Sequence, residues 1–214
     1  MNLKQIYIFR HGETDWNVEG RFQGHLDIPL NEEGKRQAEA LGKRLKSIPL
    51  EAILSSDLSR SKETASIIAS QLDITVAVDP RLREAHLGDA QGRTWEEIKS
   101  KFGPEIVTRW KSNRPTDADV AYPGGETGSA VLKRVMICLE EFCRVNAYDS
   151  LGVSSHGGVI RRLVHHIRQS QGASPLEAVS IPNTVLYLLC FDLRTGKWSY
   201  PSQPHNINVA QEGL

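Results

Sequence analysis

The chain lacks the sequence features that mark several large classes of protein. Its three cysteines, Cys138, Cys143 and Cys190, are an odd number without a Cys-x-x-Cys pair, so we expect neither a disulfide framework nor a zinc knuckle. No apolar run approaches the roughly 20 residues of a membrane-spanning helix. Basic and acidic residues number 26 each, so no net charge attracts nucleic acid or an acidic membrane.

The N-terminal residues offer little room for a leader peptide. The first apolar run begins at Ile6, directly after Met1–Gln5, which argues against a signal peptide and favours a cytoplasmic protein. With 214 residues, of which 39% are hydrophobic and 24% charged, the chain is long enough for one domain with a full core. We therefore expect a single domain over residues 1–214.

Strand-like and helix-like patterns alternate along the chain. Short apolar runs predict strands at residues 6–9, 52–56, 75–78, 151–155, 184–191 and 198–200. Apolar residues at helical spacing predict helices at about 32–47, 57–72, 95–102, 105–111, 127–145 and 159–167.

This alternation predicts an α/β fold, namely a three-layer α/β/α sandwich with a mostly parallel central sheet and helices on both faces. We expect the 184–191 strand at the centre of the sheet and the 198–200 strand at its edge. Asp57 is the expected cap of the helix that follows it. Residues of about 93–126 predict a short helical excursion over the active site.

Three strand-to-helix junctions repeat one chemical pattern. The first strand ends in Arg10-His11-Gly12, the second leads to Arg60 in the first helical turn, and a later strand ends in His156-Gly157-Gly158. In a parallel sheet such junctions share one edge, where ligands bind. Two arginines, two histidines and the N-termini of helices favour an oxyanion, and phosphate is the commonest anion that needs both a clamp and a nucleophile.

Longer motifs surround these residues along nearly the whole chain. They are Arg10-His11-Gly12-Glu13-Thr14 with Trp16-Asn17 and Gly20-Arg21-Phe22-Gln23-Gly24, Ser55 to Arg60, Leu82-Arg83-Glu84, Pro123-Gly124-Gly125-Glu126, and Ser155-His156-Gly157-Gly158. Together they resemble the histidine phosphatase superfamily, specifically its phosphoglycerate mutase-like branch. The resemblance covers residues of about 6–191, and its first motif is highly specific.

The resemblance implies a role for each residue of the predicted anion site. His11 would be the nucleophile, which attacks phosphorus and forms a phosphohistidine. Arg10, Arg60 and His156 would bind the equatorial phosphoryl oxygens. Glu84 would protonate the leaving oxygen and then take a proton from water.

The resemblance also implies residues that bind substrate around this centre. These are Thr14, Asn17, Gln23, Gly24 and Gly157. Among the positions that depart from the usual family pattern are Gln91, which replaces an acidic residue, and His86, which stands where bulky apolar residues are frequent. We expect both departures to bear on which leaving group is accepted.

We expect no metal and no cofactor. The remaining histidines show no metal-ligand spacing with cysteines or carboxylates; they are His25, His165 and His166, together with His205. The expected partner is a small phosphorylated metabolite, with no nucleic acid and no membrane, and the chain could form a homodimer.

Three functions remain open from the sequence. The leading interpretation is a phosphomonoesterase of the cofactor-independent type, because the loop at residues 20–27 resembles the phosphatase variant and the middle excursion is short. The alternative is a phosphoglycerate mutase, which would return the phosphoryl group to a second hydroxyl. A non-enzymatic phospho-ligand binding module is the third, but it predicts loss of His11 or Glu84, and both are present. The sequence does not specify the substrate.

Overall fold

Strands and helices alternate along the chain in a computed structural model that describes residues 2–112, 114–173 and 181–201. The strands of this part are β1 (Leu3–Arg10), β2 (Ala52–Ser55), β3 (Thr75–Val78), β4 (Ser150–Ser155), β5 (Leu186–Asp192) and β6 (Lys197–Ser199). The α-helices are α1 (Asp15–Val18), α2 (Glu32–Leu45), α3 (Ser59–Leu72), α4 (Trp95–Phe102), α5 (Pro104–Lys111), α6 (Gly128–Val145) and α7 (Gly157–Ser170).

The strands form one sheet in the order β3-β2-β4-β1-β5-β6. The neighbours among β3, β2, β4 and β1 are parallel, whereas β5 and β6 are antiparallel to their neighbours. The predicted mostly parallel sheet is therefore confirmed, and β6 lies at the predicted edge.

The predicted central position of β5 is wrong, because β1 and β4 occupy the middle of the sheet. A continuous apolar run indicates that both faces of a strand are buried. Both faces of β5 are indeed buried, although β5 lies next to the edge strand β6. Leu189 and Phe191 pack into one core layer, and Leu186 and Leu188 pack into the other. Burial on two faces does not encode a strand's place in the order.

Alternate residues of β1 face the two core layers, as the period of two in a strand requires. Ile6 and Ile8 pack into the layer that α6 and α7 cover, and Tyr7 and Phe9 pack into the layer that α2 and α3 cover. This arrangement confirms the three-layer sandwich. The cores on both sides of β1 hold its C-terminal end, and therefore His11, in a fixed place.

The predicted capping role of Asp57 is wrong. Helix α3 has Leu58 at its N-cap position and no side-chain cap. The Asp57 carboxylate instead accepts two hydrogen bonds from the Arg83 guanidinium, at 2.7 and 2.5 Å. A planar guanidinium matches both carboxylate oxygens at once, which a single backbone N–H does not. Asp57 therefore ties the loop before Glu84 to the start of α3.

The loop after β1 packs against α2 without space for a side chain between them. A Cβ atom added at Gly34 would collide with the backbone of Glu13. Gly42, later in the same helix, faces only the flexible end of Gln71, at 3.0 Å.

We predict that Gly34→Ala lowers the free energy of unfolding by about 1–3 kcal/mol, because the rigid backbone must move to relieve the overlap. Gly42→Ala is the matched control in the same helix. It should change the free energy of unfolding by no more than about 1 kcal/mol, since the gain in helix propensity offsets a small shift of Gln71. Urea unfolding of both variants measures this, and equal losses would contradict the close approach.

Candidate active site

A cavity of about 450 Å³ opens at the edge of the sheet where β1 and β4 end. Because these strands are parallel and Arg10 pairs with Ser155, the residues that follow them, His11 and His156, come to lie side by side. Their rings meet edge to face with centroids 5.2 Å apart. Arg60 reaches the same cavity from the first turn of α3. The structure thus brings together the residues of the three predicted junctions.

His11 is buried and held in one tautomer. Its Nδ1 lies 2.6 Å from the Gly12 carbonyl oxygen, and since a carbonyl only accepts, Nδ1 carries the proton. Nε2 is then the atom with a free lone pair. Burial, followed by the charges of Arg60 and Arg10, holds the pKa of His11 well below its usual value. A neutral imidazole with a free Nε2 suits a nucleophile.

His156 is also fully buried, at the N-cap position of α7. Its Nε2 lies 2.9 Å from the Ser56 hydroxyl, and its Nδ1 has no hydrogen-bond partner. Burial, followed by the charge of Arg60, holds the pKa of His156 well below its usual value. With Ser56 donating to Nε2, the neutral ring carries its proton on Nδ1. His156 lies directly behind the cavity, against the ring of His11, and is not among the residues that line it.

Arg10 and Arg60 are each anchored through part of the guanidinium. Arg10 donates to the Ile181 carbonyl at 2.5 Å, and Arg60 donates to the carbonyls of Gly24 at 2.8 Å and Leu26 at 2.9 Å. The Nε of each arginine is buried and without a partner. Burial lowers the pKa of Arg60 to about 10, so it keeps its charge at neutral pH. Both side chains are thus fixed cations with donors left for an anion.

Glu84 lies in the cavity wall, held by two backbone N–H groups. Its Oε2 accepts from Gly158 N at 2.8 Å, at the start of α7, and its Oε1 accepts from Ala85 N at 2.9 Å. A Cβ atom at Gly158 would collide with the carboxylate, so glycine is needed for this approach. The N-terminal end of a helix stabilises a negative charge at this point.

Arg134 of α6 fixes the backbone that carries Glu84. Its guanidinium donates to the carbonyls of Arg83 at 2.7 Å and Glu84 at 2.8 Å, and it pairs with Glu126 at 2.9 Å. His25 adds a contact of 2.7 Å to the Glu84 carbonyl. Arg134 could not be predicted beyond its place in a helix, because its partners come from loops distant along the chain.

The residues predicted to bind substrate fall into two groups. Asn17, Gln23, Gly24 and Gly157 line the cavity. Thr14 does not belong to that lining, because it is fully buried and caps α1, where its hydroxyl accepts from Gln23 at 2.7 Å. The structure therefore places Thr14 behind Gln23, as the residue that orients it.

The two departures from the family pattern, Gln91 and His86, also lie outside the cavity lining. Gln91 accepts a hydrogen bond from the His25 backbone N–H at 2.7 Å. Its side chain also occupies the space that a Cβ atom at Gly24 would need. His86 meets His25 with ring centroids 5.0 Å apart. Both residues support the loop that carries Gly24.

Several lining residues were not predicted. They are Asn183, Arg161, Trp16, Trp95 and Trp110, among others. Asn183 donates to the His11 carbonyl at 2.9 Å from the turn before β5. Arg161 stands one helical turn after Gly158, a spacing that places both on one face of α7 and could have been read from the sequence.

Within the described ranges, no group of three or more His, Cys, Asp and Glu side chains could hold a metal ion. His25 is partly buried, His165 is buried and His166 is exposed. His205 lies outside the described residues. None of the helices in the described part of the chain has the length and apolarity needed to cross a membrane.

A family model described as histidine phosphatase superfamily (branch 1) matches residues 6–201. Phosphoglycerate mutase-like protein 4 of Arabidopsis thaliana is 42% identical over 79% of this chain and 74% of its own length. A metal-independent phosphoserine phosphatase of the same organism is 34% identical over 99% and 88%. A mycobacterial glucosyl-3-phosphoglycerate phosphatase in complex with VO3 superimposes with a TM-score of 0.80, at 30% identity, over 92% of this chain and 97% of that one.

We predict that the two buried histidines make the folded protein less stable in acid. Below about pH 6.5 the unfolded chain protonates His11 and His156 while the folded protein does not, so the free energy of unfolding falls as the pH drops, by about 1 kcal/mol per histidine between pH 6.5 and 5.5. Urea unfolding in phosphate-free buffer should show that His11→Asn and His156→Asn each reduce this dependence. His166→Asn, on the exposed face of α7, is the control. If the free energy of unfolding depended on pH in the same way in all variants and in the wild type, the prediction would be contradicted.

Proposed function

Because the chain belongs to branch 1 of the histidine phosphatase superfamily, we propose that it is a phosphomonoesterase that hydrolyses small phosphorylated metabolites through a phosphohistidine on His11. The family membership and the phosphatases among its relatives support a phosphatase as the enzyme class. The proposal includes a reaction without a metal, a cytoplasmic location and formation of a homodimer.

The neutral, oriented His11 beside two anchored arginines carries this proposal. Its Nε2 attacks phosphorus, the ester oxygen leaves, and the equatorial phosphoryl oxygens take hydrogen bonds from Arg10, Arg60 and His156. These donors lie in place before substrate binds, so the transition-state charge is stabilised without reorganisation of the site. Splitting the transfer into two displacements replaces one difficult attack by water with two easier steps.

Glu84 supplies the proton transfers in this proposal. As the protonated acid it donates to the leaving oxygen in the first step, and as the carboxylate it takes a proton from the attacking water in the second. Its anchors on Gly158 N and Ala85 N leave the orientation of the carboxyl group fixed while the proton is exchanged. Asn17 is oriented for a supporting role, because its amide oxygen accepts from Thr14 N at 3.2 Å and its amide nitrogen remains to donate.

Phosphoglycerate mutase is the second candidate, and relatives with that name favour it. One such relative, from Gloeobacter violaceus, is 33% identical over 74% of this chain. A mutase would use the same phosphohistidine but return the phosphoryl group to a second hydroxyl. The phosphatase relative that spans 99% of the chain favours hydrolysis.

We predict that the purified protein releases inorganic phosphate from phosphate monoesters in the presence of EDTA and without a bisphosphate primer. His11→Asn should reduce turnover by about 10³-fold or more, because no other side chain can form the covalent intermediate. Free phosphate and the isomer of 3-phosphoglycerate are measured in parallel. Primer-dependent isomerisation that outruns phosphate release for every ester would favour the mutase, and a variant with a tenth of normal turnover would exclude His11 as nucleophile.

We predict that Glu84→Gln separates the two half-reactions. p-Nitrophenyl phosphate has a leaving group that needs little protonation, so phosphorylation of His11 should survive better than hydrolysis of the phosphoenzyme. Phosphohistidine should therefore accumulate, detected by intact mass at alkaline pH. Alkyl phosphates should react poorly in both steps. If the variant hydrolysed alkyl and aryl esters with the same small loss, Glu84 would not be the acid.

A further inference from the structure

A short turn directly before β5 is hydrogen-bonded to Arg10, the last residue of β1. We name it the 181–185 turn. The Ile181 carbonyl accepts from the Arg10 guanidinium at 2.5 Å, and the Val185 carbonyl accepts from the Arg10 backbone N–H at 3.2 Å. The Thr184 N–H donates to the Arg10 carbonyl at 3.1 Å. The turn is therefore held in a fixed position against the end of β1.

The backbone of Thr184 is in the left-handed region, with a φ of 55°, where a β-branched residue is rare. Thr184 and Val185 together oppose Arg10, which accepts a hydrogen bond from the first and donates one to the second. The ladder between β1 and β5 thus ends in a bulge, and glycine is the usual residue at the left-handed position of such a bulge. Backbone strain of this kind is frequent at functional sites, where a bulge redirects a side chain.

The side chain that this bulge brings to the site belongs to Asn183, which lines the cavity. Its Nδ2 donates to the His11 carbonyl at 2.9 Å and to the Oδ1 of Asn17 at 3.3 Å. Because a carbonyl oxygen only accepts, the amide nitrogen of Asn183 must be the atom that faces His11. One amide group therefore contacts both the nucleophile and a residue beside it.

The conformation of the turn does not account for an asparagine at position 183. The Val185 N–H donates to the Pro182 carbonyl at 3.4 Å, which makes residues 182–185 a four-residue turn with Thr184 in third place. A positive φ at the third place favours glycine or asparagine. The asparagine stands one residue earlier, so its side-chain contacts, and not its backbone, explain its presence.

Asn183 holds the peptide unit that joins His11 to Gly12. The carbonyl of this unit accepts from Asn183, and its N–H donates to the Thr64 hydroxyl at 3.0 Å. Among the described residues no other group donates to the His11 carbonyl. The next carbonyl, that of Gly12, lies 2.6 Å from Nδ1 of His11 and sets its tautomer. A rotation of the peptide unit would move that carbonyl and with it the ring.

We propose that Asn183 is a positioning residue for the nucleophile. It acts through the peptide unit after His11 to hold the imidazole ring, and through its bond to Oδ1 it turns the amide nitrogen of Asn17 toward the phosphoryl group. The 181–185 turn retains a strained residue because that geometry places Asn183. The effect on catalysis rests on the proposed function, whereas the orientation of the ring does not.

Two substitutions test the amide donor. Asn183→Leu keeps the approximate shape of the side chain without the donor, and Asn183→Ala removes the side chain beyond Cβ. Each should lower kcat for p-nitrophenyl phosphate by about 10- to 100-fold, because a displaced nucleophile reacts more slowly. Each should change KM by less than about threefold, because Arg10 and Arg60 are anchored on backbone carbonyls that the substitutions do not remove.

Asn146→Ala is the matched control. It removes an amide hydrogen bond of the same length, 2.9 Å, to the Phe142 carbonyl at the end of α6. It should change neither kcat nor KM, because Asn146 is not among the residues that line the cavity.

Nitrogen-15 NMR of the histidine rings measures the orientation of His11 without any turnover. His11→Asn identifies the signals of His11 by their loss. In the wild type we expect a protonated Nδ1 and an unprotonated Nε2. Both Asn183 variants should shift or broaden these signals as the ring exchanges between tautomers, and Asn146→Ala should leave them unchanged. The signals of the other histidines show that each variant is folded.

Two outcomes would overturn this role of Asn183. One is a kcat within about twofold of wild type in both of its variants. The other is a loss of kcat while the ring signals of His11 stay identical to those of the wild type. A wild type that hydrolyses no ester would instead contradict the proposed function, and the ring signals alone would then decide whether Asn183 positions His11.

Discussion

The burial of Arg60 is the constraint on which the site depends. Only 1% of its surface is exposed, and the charge is tolerated because loop carbonyls of Gly24 and Leu26 accept from both terminal nitrogens. Burial, followed by the same charge, lowers the pKa of His11 and of His156. One buried arginine thus orders the loop that lines the cavity and, with burial, keeps both imidazoles neutral.

A second set of contacts holds Glu84 at the boundary between the two ends of the cavity. Arg134 fixes its backbone, the Asp57–Arg83 pair fixes the loop before it, and Gly158 admits its carboxylate. These contacts come from α6, from the turn before α3 and from α7, so the position of the carboxyl group is determined by packing on both sides of the sheet. Precise placement of this kind is what general acid–base catalysis requires.

The two ends of the cavity differ in their chemistry. At one end the ends of β1 and β4 and the start of α3 collect the groups that suit a phosphoryl group. At the other end the helical excursion contributes Trp95 and Trp110, and α7 contributes Arg161. A phosphoryl end beside a wall built from a separate segment allows one reaction to be combined with different leaving groups.

The candidate phosphoryl site could be predicted from the sequence because its residues follow directly from strand ends. Once β1, β2 and β4 are parallel, Arg10, His11, Arg60 and His156 must share one edge, and the motif around Glu84 completes the set by resemblance. The fold class follows from the same alternation of strands and helices.

The remainder was decided by tertiary structure. The place of β5 beside the edge strand, the pairing of Asp57 with Arg83 and the position of Thr14 behind Gln23 depend on partners far away in the chain. Periodicity and motifs carry information about the segment in which a residue stands. Whether a buried polar atom finds a hydrogen-bond partner depends instead on which atoms from other segments lie near it, as for the unpartnered donors of Arg161, Trp110 and Tyr122.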